Sequence, residues 1–364
     1  MRRLDRYVLR QFIQALLLGL LAFLVIFIVI DFFEKLGDYI DRDTPWLVVA
    51  RLYLFKVPYI TVLILPIAML LASLFSLGRM SRDSELTAML AAGVPLTRLL
   101  APLFVFAALV SVGSYYFNDR VVTRSNLALE QVQKYEVKQE NAADRSVRRF
   151  VHRIGEDGTL YWAEAYFVAQ QRFENLVLLR YDGSRLREYT LARHAFWNGN
   201  HWRLAEGTRH LFPAGTGQER PESGTFTFEN FDLPPLAETP EVFSEEEKKP
   251  EAMDYRELQD YIATQTRSGE DADRLWVDLH VKASFPWANL VIVILGSALS
   301  ASKRRISMAA GFGLTVAIAF VYLIFLRLGL SLGHNHTLPP LLAAWVGNML
   351  FAVVGLGLLW RASR

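Results

Sequence analysis

The chain has no cysteine, so disulfide frameworks, thiol catalysis and cysteine-ligated metals are excluded. The dipeptide Gly-Lys never occurs, which rules out the G-x-x-x-x-G-K-[ST] loop that holds nucleotide phosphates. The metalloprotease pattern H-E-x-x-H is also missing. The sequence therefore predicts neither an enzyme nor a bound cofactor.

Positive and negative side chains are nearly equal in number, since the formal net charge is only +2. This near balance argues against a nucleic-acid partner. The mean hydropathy is +0.20 although 21% of the residues are charged. Apolar and charged residues must therefore be segregated along the chain, as in a membrane protein with a soluble insert.

Six stretches are long and apolar enough to cross a hydrocarbon core of about 30 Å as helices. They lie at residues 12–33, 52–78, 98–118, 280–301, 306–332 and 338–360. The first is too long for the apolar region of a signal peptide and lacks a small-residue cleavage site, so we expect a retained span. The sequence thus predicts a membrane α-helical fold with three spans on either side of a soluble domain.

Lysine and arginine in the short connections predict the orientation. With a cytoplasmic N-terminus, the short outer loops hold only Lys35, Arg42 and Arg51. The inner side then collects a larger basic set, namely Arg2, Arg3, Arg6, Arg10, Arg79, Arg82, Arg98, Lys303, Arg304, Arg305, Arg361 and Arg364. We therefore expect both termini in the cytoplasm and the soluble domain on the outer side.

The inserted domain is predicted to be all-β. Alternating apolar and polar residues with many aromatics occur at 147–153, 159–168, 175–181, 185–196, 200–212 and 224–231. Turn residues separate these segments at 155–158, 182–184 and 198–200. Short strands at regular spacing favour a sandwich or a jellyroll-like fold, whose exposed edges can accept a partner's strand.

A helical linker is predicted between this domain and the fourth span. After an acidic stretch at 245–247, Asp254 and Glu257 have the spacing of a capping box, and the helix should stop near Ser268-Gly269. A second amphipathic segment begins at Ala272. Because both segments are helical, movement of the domain can be passed to the membrane spans.

The inner connection between the second and third spans predicts a short amphipathic helix at 82–92. Ser81 is expected to cap it, Asp83 and Glu85 lie in its first turn, and Gly93 ends it. Three apolar residues fall on one face, namely Leu86, Met89 and Leu90. Two interpretations stay open on the residues alone: a helix resting on lipid, or a helix docked in a cytoplasmic partner through Arg82 and Glu85.

Three segments resemble the LptF/LptG family of lipopolysaccharide export permeases. They are Leu4-Asp5-Arg6-Tyr7, the inner helix from Ser84-Glu85-Leu86 to Gly93, and residues 261–272 ahead of Lys282 and Pro286. Their order and spacing match over essentially the whole chain, including the three-plus-three arrangement. The opening Leu-Asp-Arg-Tyr is closer to LptG than to LptF.

The resemblance implies a multi-pass protein of the bacterial inner membrane that works as an LptF–LptG pair with an LptB ATPase dimer. The pair would draw lipopolysaccharide from the outer leaflet toward LptC and the periplasmic bridge, and the periplasmic domain would be a β-jellyroll along which the lipid travels. The inner helix would be the coupling helix. Its implied contact residues are Arg82, Glu85, Leu86, Met89, Leu90 and Gly93.

Ionisable residues at membrane depth are candidates for substrate contact. Asp31 and Lys35 lie at the outer end of the first span, and Arg327 lies just inside the outer end of the fifth. Phosphates of lipopolysaccharide would reach the same level, and the resemblance supports a basic residue at Lys35. The alternative for Lys35 and Arg327 is snorkelling to the interface; for Lys56 we favour snorkelling or an ion pair.

Two further features are weak signals of function. His334 and His336 in an outer turn are too few to predict a metal site, and a hydrophilic turn is the preferred interpretation. Pro58, Pro66 and Pro286 lie in or at the start of spans, where they permit kinks that serve either gating or static shape.

The predicted domains are residues 1–118 with the first three spans, 119–272 with the β domain and its linker, and 273–364 with the last three spans. Two rival functions stay open. A permease of another lipid or lipoprotein export system usually has four spans, with its outer domain after the first. A non-transporting scaffold would have an inner helix that only rests on lipid.

Overall fold

A computed structural model describes residues 2–137, 147–155, 158–182, 185–212, 224–233, 238–244, 248–267, 272–301 and 308–363. The chain divides into two compact units. One comprises residues 1–137, 249–262 and 272–364, and the other comprises 138–248 and 263–271. The first unit is helical, and the second is built around a β-sheet. The predicted boundary after residue 118 thus falls inside the first unit.

The helices are α1 (Arg2–Asp41), α2 (Trp46–Arg82), α3 (Glu85–Ala91), α4 (Leu96–Phe117), α5 (Thr123–Val132), α6 (Pro240–Ser244), α7 (Tyr255–Arg267), α8 (Asp273–Ser284), α9 (Ala288–Ser300), α10 (Met308–His334) and α11 (Pro340–Ser363). Among the described residues, six helical stretches are long and apolar enough to cross a membrane. They are α1, α2, α4 with its extension, α8 with α9, α10 and α11. The prediction of six spans is confirmed.

The helix of the third span continues well beyond the predicted end at residue 118. Short π-helical segments at Asn118–Val122 and Gln133–Val137 flank α5, so the chain stays helical from Leu96 to Val137. Val132 and Val137 pack with Tyr39 and Tyr53, near the end of α1 and the start of α2 that are predicted to lie on the outer side. The extension therefore belongs to the helical unit because it buries an apolar face against the first two spans.

The fourth span is interrupted at Pro286, where a turn of 3₁₀ helix (Phe285–Trp287) joins α8 to α9. Proline lacks a backbone N–H and clashes with the preceding turn, so a break is expected there. Side-chain amides bond two backbone carbonyls at the break: Asn289 Nδ2 donates to Pro286 O at 2.9 Å, and Asn348 Nδ2 donates to Ser284 O at 2.7 Å. The break is thereby fixed against α11 by buried hydrogen bonds.

The β unit contains six antiparallel strands, β1 (Val147–Ile154), β2 (Leu160–Phe167), β3 (Arg172–Asp182), β4 (Arg185–Trp197), β5 (Trp202–Leu211) and β6 (Gly224–Asp232). All six predicted strands are confirmed, with ends shifted by a few residues. The turn after β4 forms as predicted, with Gly199 at φ +99° and Trp197 paired to Trp202. The other two predicted turns include residues outside the described ranges.

The jellyroll-like arrangement is not confirmed among the described strands. They form one sheet in the sequential order β1-β2-β3-β4-β5-β6, whereas a jellyroll places sequence-distant strands side by side in two sheets. Tight connections between successive strands favour this antiparallel meander, because each strand pairs with its neighbour in sequence. What is confirmed is the all-β insert.

One face of the sheet carries an aromatic core. Phe173 contacts Tyr166, Trp202 and Phe243, with ring centroids 4.5, 4.8 and 4.9 Å away. Phe243 belongs to α6, and Trp202 Nε1 donates to Glu238 O just before that helix at 3.0 Å. The segment after β6 therefore covers this face of the sheet.

Candidate functional site

The end of α1 and the start of α2, called the outer ends after the predicted orientation, bring four polar side chains together. Asp31 Oδ2 accepts hydrogen bonds from Tyr53 Oη at 2.8 Å and from Lys56 Nζ at 2.6 Å. Lys35 Nζ lies 3.3 Å from Asp31 Oδ1, one helical turn along α1. Asp31 and Lys35 are one helical turn apart on α1, and Tyr53 and Lys56 are one turn apart on α2, so each pair lies on one face of its helix. These two faces meet, which brings the four groups together.

Burial differs sharply between the two lysines. The side chains of Lys56 and Asp31 are only 13% and 14% exposed, whereas that of Lys35 is 38% exposed. The prediction of an ion pair for Lys56 is therefore confirmed. One carboxylate faces two ammonium groups, which leaves the cluster with a net positive charge, and Lys35 retains donors for a further acceptor because an ammonium group has three.

An apolar cavity of about 720 Å³ lies beside this cluster, between the same two helix ends. Tyr53 borders both the cluster and the cavity. The other walls come from α1, from the turn at 42–45 and from the start of α2, and include Ile28, Phe32, Leu36, Trp46 and Val49. A cation beside an apolar cavity suits a ligand with an anionic head and a hydrocarbon chain.

Arg327 lies exposed on α10 and forms no ion pair with a residue in the described ranges. Phe23 of α1 stacks on Phe312 of α10 with ring centroids 6.2 Å apart, which fixes the relative height of the two spans. At 1.5 Å per residue, Lys35 lies about 18 Å above Phe23 and Arg327 about 22 Å above Phe312. The two basic residues among the three predicted substrate contacts thus lie at a similar depth, on different helices.

The inner connection folds differently from the prediction in its first turn. α2 continues through Ser81 to Arg82, so Ser81 does not cap the next helix. Ser84 then adopts φ +61°, and α3 runs only from Glu85 to Ala91 rather than over 82–92. At the end of α2, Arg79 and Asp83 form an exposed i,i+4 pair, with 3.7 Å between Nε and Oδ2.

The predicted end of the inner helix is confirmed. Gly93 adopts φ +86°, its N–H donates to Leu90 O, and Val94 N–H donates to Met89 O. These two bonds satisfy the last carbonyls in a Schellman motif, which requires the left-handed conformation that glycine adopts without strain.

Leu86 of α3 is 5% exposed and belongs to a core with Val8, Phe12 and Leu99, and Met89 packs against that core. Leu90, predicted on the same face, is 41% exposed. The apolar face of the inner helix is therefore largely occupied by the chain's own first and third spans.

The N-terminal motif contacts both ends of this inner connection. Tyr7 Oη lies 3.0 and 2.9 Å from the two carboxylate oxygens of Glu85. Arg98 Nη2 donates to Asp5 Oδ2 at 3.0 Å. In the sequence, Asp5 and Tyr7 stand out only as part of a family motif, because nothing in the sequence spacing relates residue 7 to residue 85.

The two histidines of the outer turn each pair with a carboxylate of α8. His334 Nε2 lies 3.0 Å from Asp278 Oδ1, and His336 Nδ1 lies 3.0 Å from Asp273 Oδ2. No group of three or more histidine, aspartate or glutamate side chains suited to a metal occurs among the described residues. These pairs instead attach the turn to α8.

The chain is similar to known lipopolysaccharide export permeases. A family model described as lipopolysaccharide export system permease LptF/LptG matches residues 6–361. The lipopolysaccharide export system permease protein LptF of Escherichia coli strain K12 is 34% identical over 109 residues, covering 29% of this chain and 30% of that protein. The protein of the same name from Shigella flexneri matches equally. The aligned segment is thus less than a third of these relatives' length.

These relatives carry the name LptF, whereas the first-helix motif predicted LptG. The family description covers both subunits, so the choice between them stays a prediction.

Proposed function

We propose that this chain, which belongs to the LptF/LptG family of lipopolysaccharide export permeases, forms one half of a lateral lipid gate in an ABC transporter. A separate LptB-type ATPase dimer drives it, and a second permease subunit completes the gate. Lipopolysaccharide leaves the outer leaflet of the inner membrane and passes to LptC and a periplasmic bridge. Both termini face the cytoplasm, where the ATPase binds.

The observation that carries the proposal is the cation beside an apolar cavity at the outer ends of α1 and α2. Lys35 offers donors to a phosphate, and the cavity of about 720 Å³ accepts part of an acyl chain. Asp31 neutralises the buried Lys56 and holds Lys35 in place. Its role is therefore positioning rather than direct contact with an anionic head group.

The inner helix supports docking of a protein partner over resting on lipid. Its apolar residues Leu86 and Met89 pack on the chain's own core, so they are not available to the bilayer. The residues that remain exposed are Thr87, Ala88, Leu90 and Ala91. This small, mildly apolar surface next to Glu85 suits a groove in a folded partner better than a membrane interface.

The second face of the β-sheet supports lipid passage along the soluble domain. Trp162 pairs with Val177, and Val177 pairs with Leu191, so these three side chains form a row across β2, β3 and β4. Trp162 and Leu191 are each 38% exposed. An exposed apolar row of this kind marks a binding surface.

The test is substitution of Glu85 in the complete transporter. Glu85→Ala should reduce the amount of ATPase that copurifies with the tagged chain by about tenfold, because one charge-assisted contact contributes about 1.5–3 kcal/mol. Asp83→Ala is the matched control, since Asp83 is an exposed carboxylate two residues away that pairs only with Arg79 among the described residues. Equal copurification with Glu85→Ala and wild type, together with normal export, would remove the proposed ATPase contact.

A further inference from the structure

The first span reaches the inner helix through a tyrosine–carboxylate contact that no sequence pattern predicts. The hydroxyl of Tyr7 is within hydrogen-bond distance of both carboxylate oxygens of Glu85. Gln11 Nε2, one turn further along α1, donates to the same hydroxyl at 3.3 Å. The tyrosine hydroxyl is thus oriented from its own helix before it meets α3.

A second contact secures the other end of the inner connection. Asp5 accepts a hydrogen bond from Arg98 at the start of α4, so residues two positions apart on α1 contact the first residue of α3 and the chain after α3. Between them, Leu86 is buried against Val8 and Phe12 of α1. Two polar contacts with an apolar contact between them restrict sliding and rotation of α3 relative to the first span.

Glu85 can keep this contact and still meet a partner. An ionised carboxylate has about four acceptor positions, and Tyr7 donates a single proton. The contact with Tyr7 therefore leaves acceptor positions for a cationic group of another protein.

α1 has the properties of a rigid connection between the two membrane faces. It runs without interruption from Arg2 to Asp41 and contains no proline, whereas α2 contains Pro58 and Pro66. Kinks occur mainly at proline. At 1.5 Å per residue, Tyr7 and Lys35 are about 42 Å apart along one continuous helix.

We propose that Tyr7 is a positioning residue that makes α3 and the inner end of α1 move as one body, so that displacement of the inner helix shifts the first span and its outer lysine. This inference rests on the proposed function, since it needs an ATPase that moves α3. Tyr7 touches neither nucleotide nor lipid in this scheme. Its contribution is transmission of movement and not affinity for the ATPase.

The first experiment compares Tyr7→Phe with wild type in the complete transporter reconstituted in proteoliposomes. Copurification of the ATPase should be unchanged, while the lipopolysaccharide released per ATP hydrolysed should fall about twofold, as expected for loss of one partly exposed hydrogen bond to a charged group. Tyr59→Phe is the matched control, because Tyr59 is a half-exposed tyrosine of α2 without a hydrogen bond to a described residue. Unchanged release per ATP in Tyr7→Phe would overturn the inference.

The outcomes separate this inference from the proposed function. If Tyr7→Phe behaves as wild type but Glu85→Ala loses the ATPase, only the inference fails. If Glu85→Ala keeps both the ATPase and export, the proposed function fails. Loss of ATPase copurification in Tyr7→Phe would also contradict the inference, because Tyr7 would then act in docking.

A distance measurement tests the movement directly. Because the chain has no cysteine, Arg10→Cys and Thr87→Cys allow spin labels to be attached at these two exposed positions alone. The distance between them should stay constant when ATP binds to the wild-type background and should broaden or shift after Tyr7→Phe. A change of several ångströms in the wild-type background would show that α1 and α3 move separately and would overturn the inference.

Discussion

The two ends of the first span carry the same pair of chemical groups in opposite settings. At the outer end, the tyrosine hydroxyl of Tyr53 donates to Asp31, which also contacts two lysines. At the inner end, the hydroxyl of Tyr7 donates to Glu85, whose only hydrogen-bonding partner among the described residues is that tyrosine. The Asp31 carboxylate is buried with three partners, and the Glu85 carboxylate is partly exposed with one.

The difference between Asp31 and Glu85 shows that burial decides whether a carboxylate stabilises the fold or stays available for a partner. A buried carboxylate must be paired, because an isolated buried charge costs several kcal/mol. Asp31 is therefore committed to Tyr53 and the lysines. An exposed carboxylate contributes little to stability, so Glu85 is available for a partner, and its contact with Tyr7 sets geometry.

The largest expected effect is on stability at the outer end. Asp31→Asn leaves Lys56 without its counter-ion at 13% side-chain exposure, and we expect the free energy of unfolding in mixed micelles to fall by about 3 kcal/mol. Glu85→Gln at the inner end should change it by less than about 0.5 kcal/mol. Similar losses for both variants would break the comparison.

A double substitution tests the cause of that loss. Asp31→Asn combined with Lys56→Met removes the charge that Asp31 neutralises, so about half of the lost free energy of unfolding should return. No recovery in the double variant would mean that the loss comes from packing and not from an unpaired charge.

The next effect is on substrate contact at the outer end. Lys35→Met removes the more exposed ammonium and should reduce photocross-linking of lipopolysaccharide to a probe at Leu36, a residue of the cavity wall, by about tenfold. Stability should change little, because Asp31 keeps Lys56. Arg42→Met, in the adjacent outer turn, is the matched control. Full cross-linking in Lys35→Met would assign Lys35 to snorkelling.

Much of the fold could be predicted because it depends on local pattern. Six apolar stretches gave six spans, alternation gave six strands, and the spacing of Asp254 and Glu257 predicted a capping box whose two reciprocal bonds measure 2.8 and 3.0 Å. Gly93 was predicted to end the inner helix, and it does so in the left-handed conformation that glycine adopts without strain. These features depend on residues a few positions apart.

Features that depend on distant residues could not be predicted. The sequence does not reveal that Tyr53 would meet Asp31, or Tyr7 would meet Glu85, because side-chain approach across helices is set by packing. The predicted start of the inner helix at residue 82 is too early for the same reason. Met80 is buried with Leu86 and Leu96, and this packing extends α2 past Ser81. Sheet order also depends on which strands pair, which alternation alone leaves open.

A smaller effect compares the two tyrosines. Tyr53→Phe should lower the free energy of unfolding by about 1.5 kcal/mol, because it removes a hydrogen bond from a buried carboxylate. Tyr7→Phe removes a comparable bond at an exposed site and should cost less than about 0.5 kcal/mol. Chemical denaturation of both variants measures the difference, and a larger loss for Tyr7→Phe would contradict the assignment of structural and positioning roles.

The smallest effect concerns a third carboxylate, in the sheet, where burial plays no part. The hydrogen bond from Arg203 Nε, 2.6 Å from Oδ1, lowers the pKa of the Asp232 carboxyl below its ordinary value of 3.8. A folded pKa below the unfolded one stabilises the sheet above pH 3.8, and this contribution is lost as the pH falls through the folded pKa. The pair is exposed, so salt should screen it.

Thermal unfolding of the sheet, followed by tryptophan fluorescence of the full chain, tests this third carboxylate. The difference between wild type and Asp232→Asn should be small at pH 6, and should vanish as the pH falls through the folded pKa of Asp232, which lies below 3.8, because both side chains are then uncharged. Raising the salt concentration at pH 6 should also reduce the difference between wild type and Asp232→Asn. A difference that persists at low pH would mean that the carboxylate acts through its shape, and the rule drawn from Asp31 and Glu85 would not extend to the sheet.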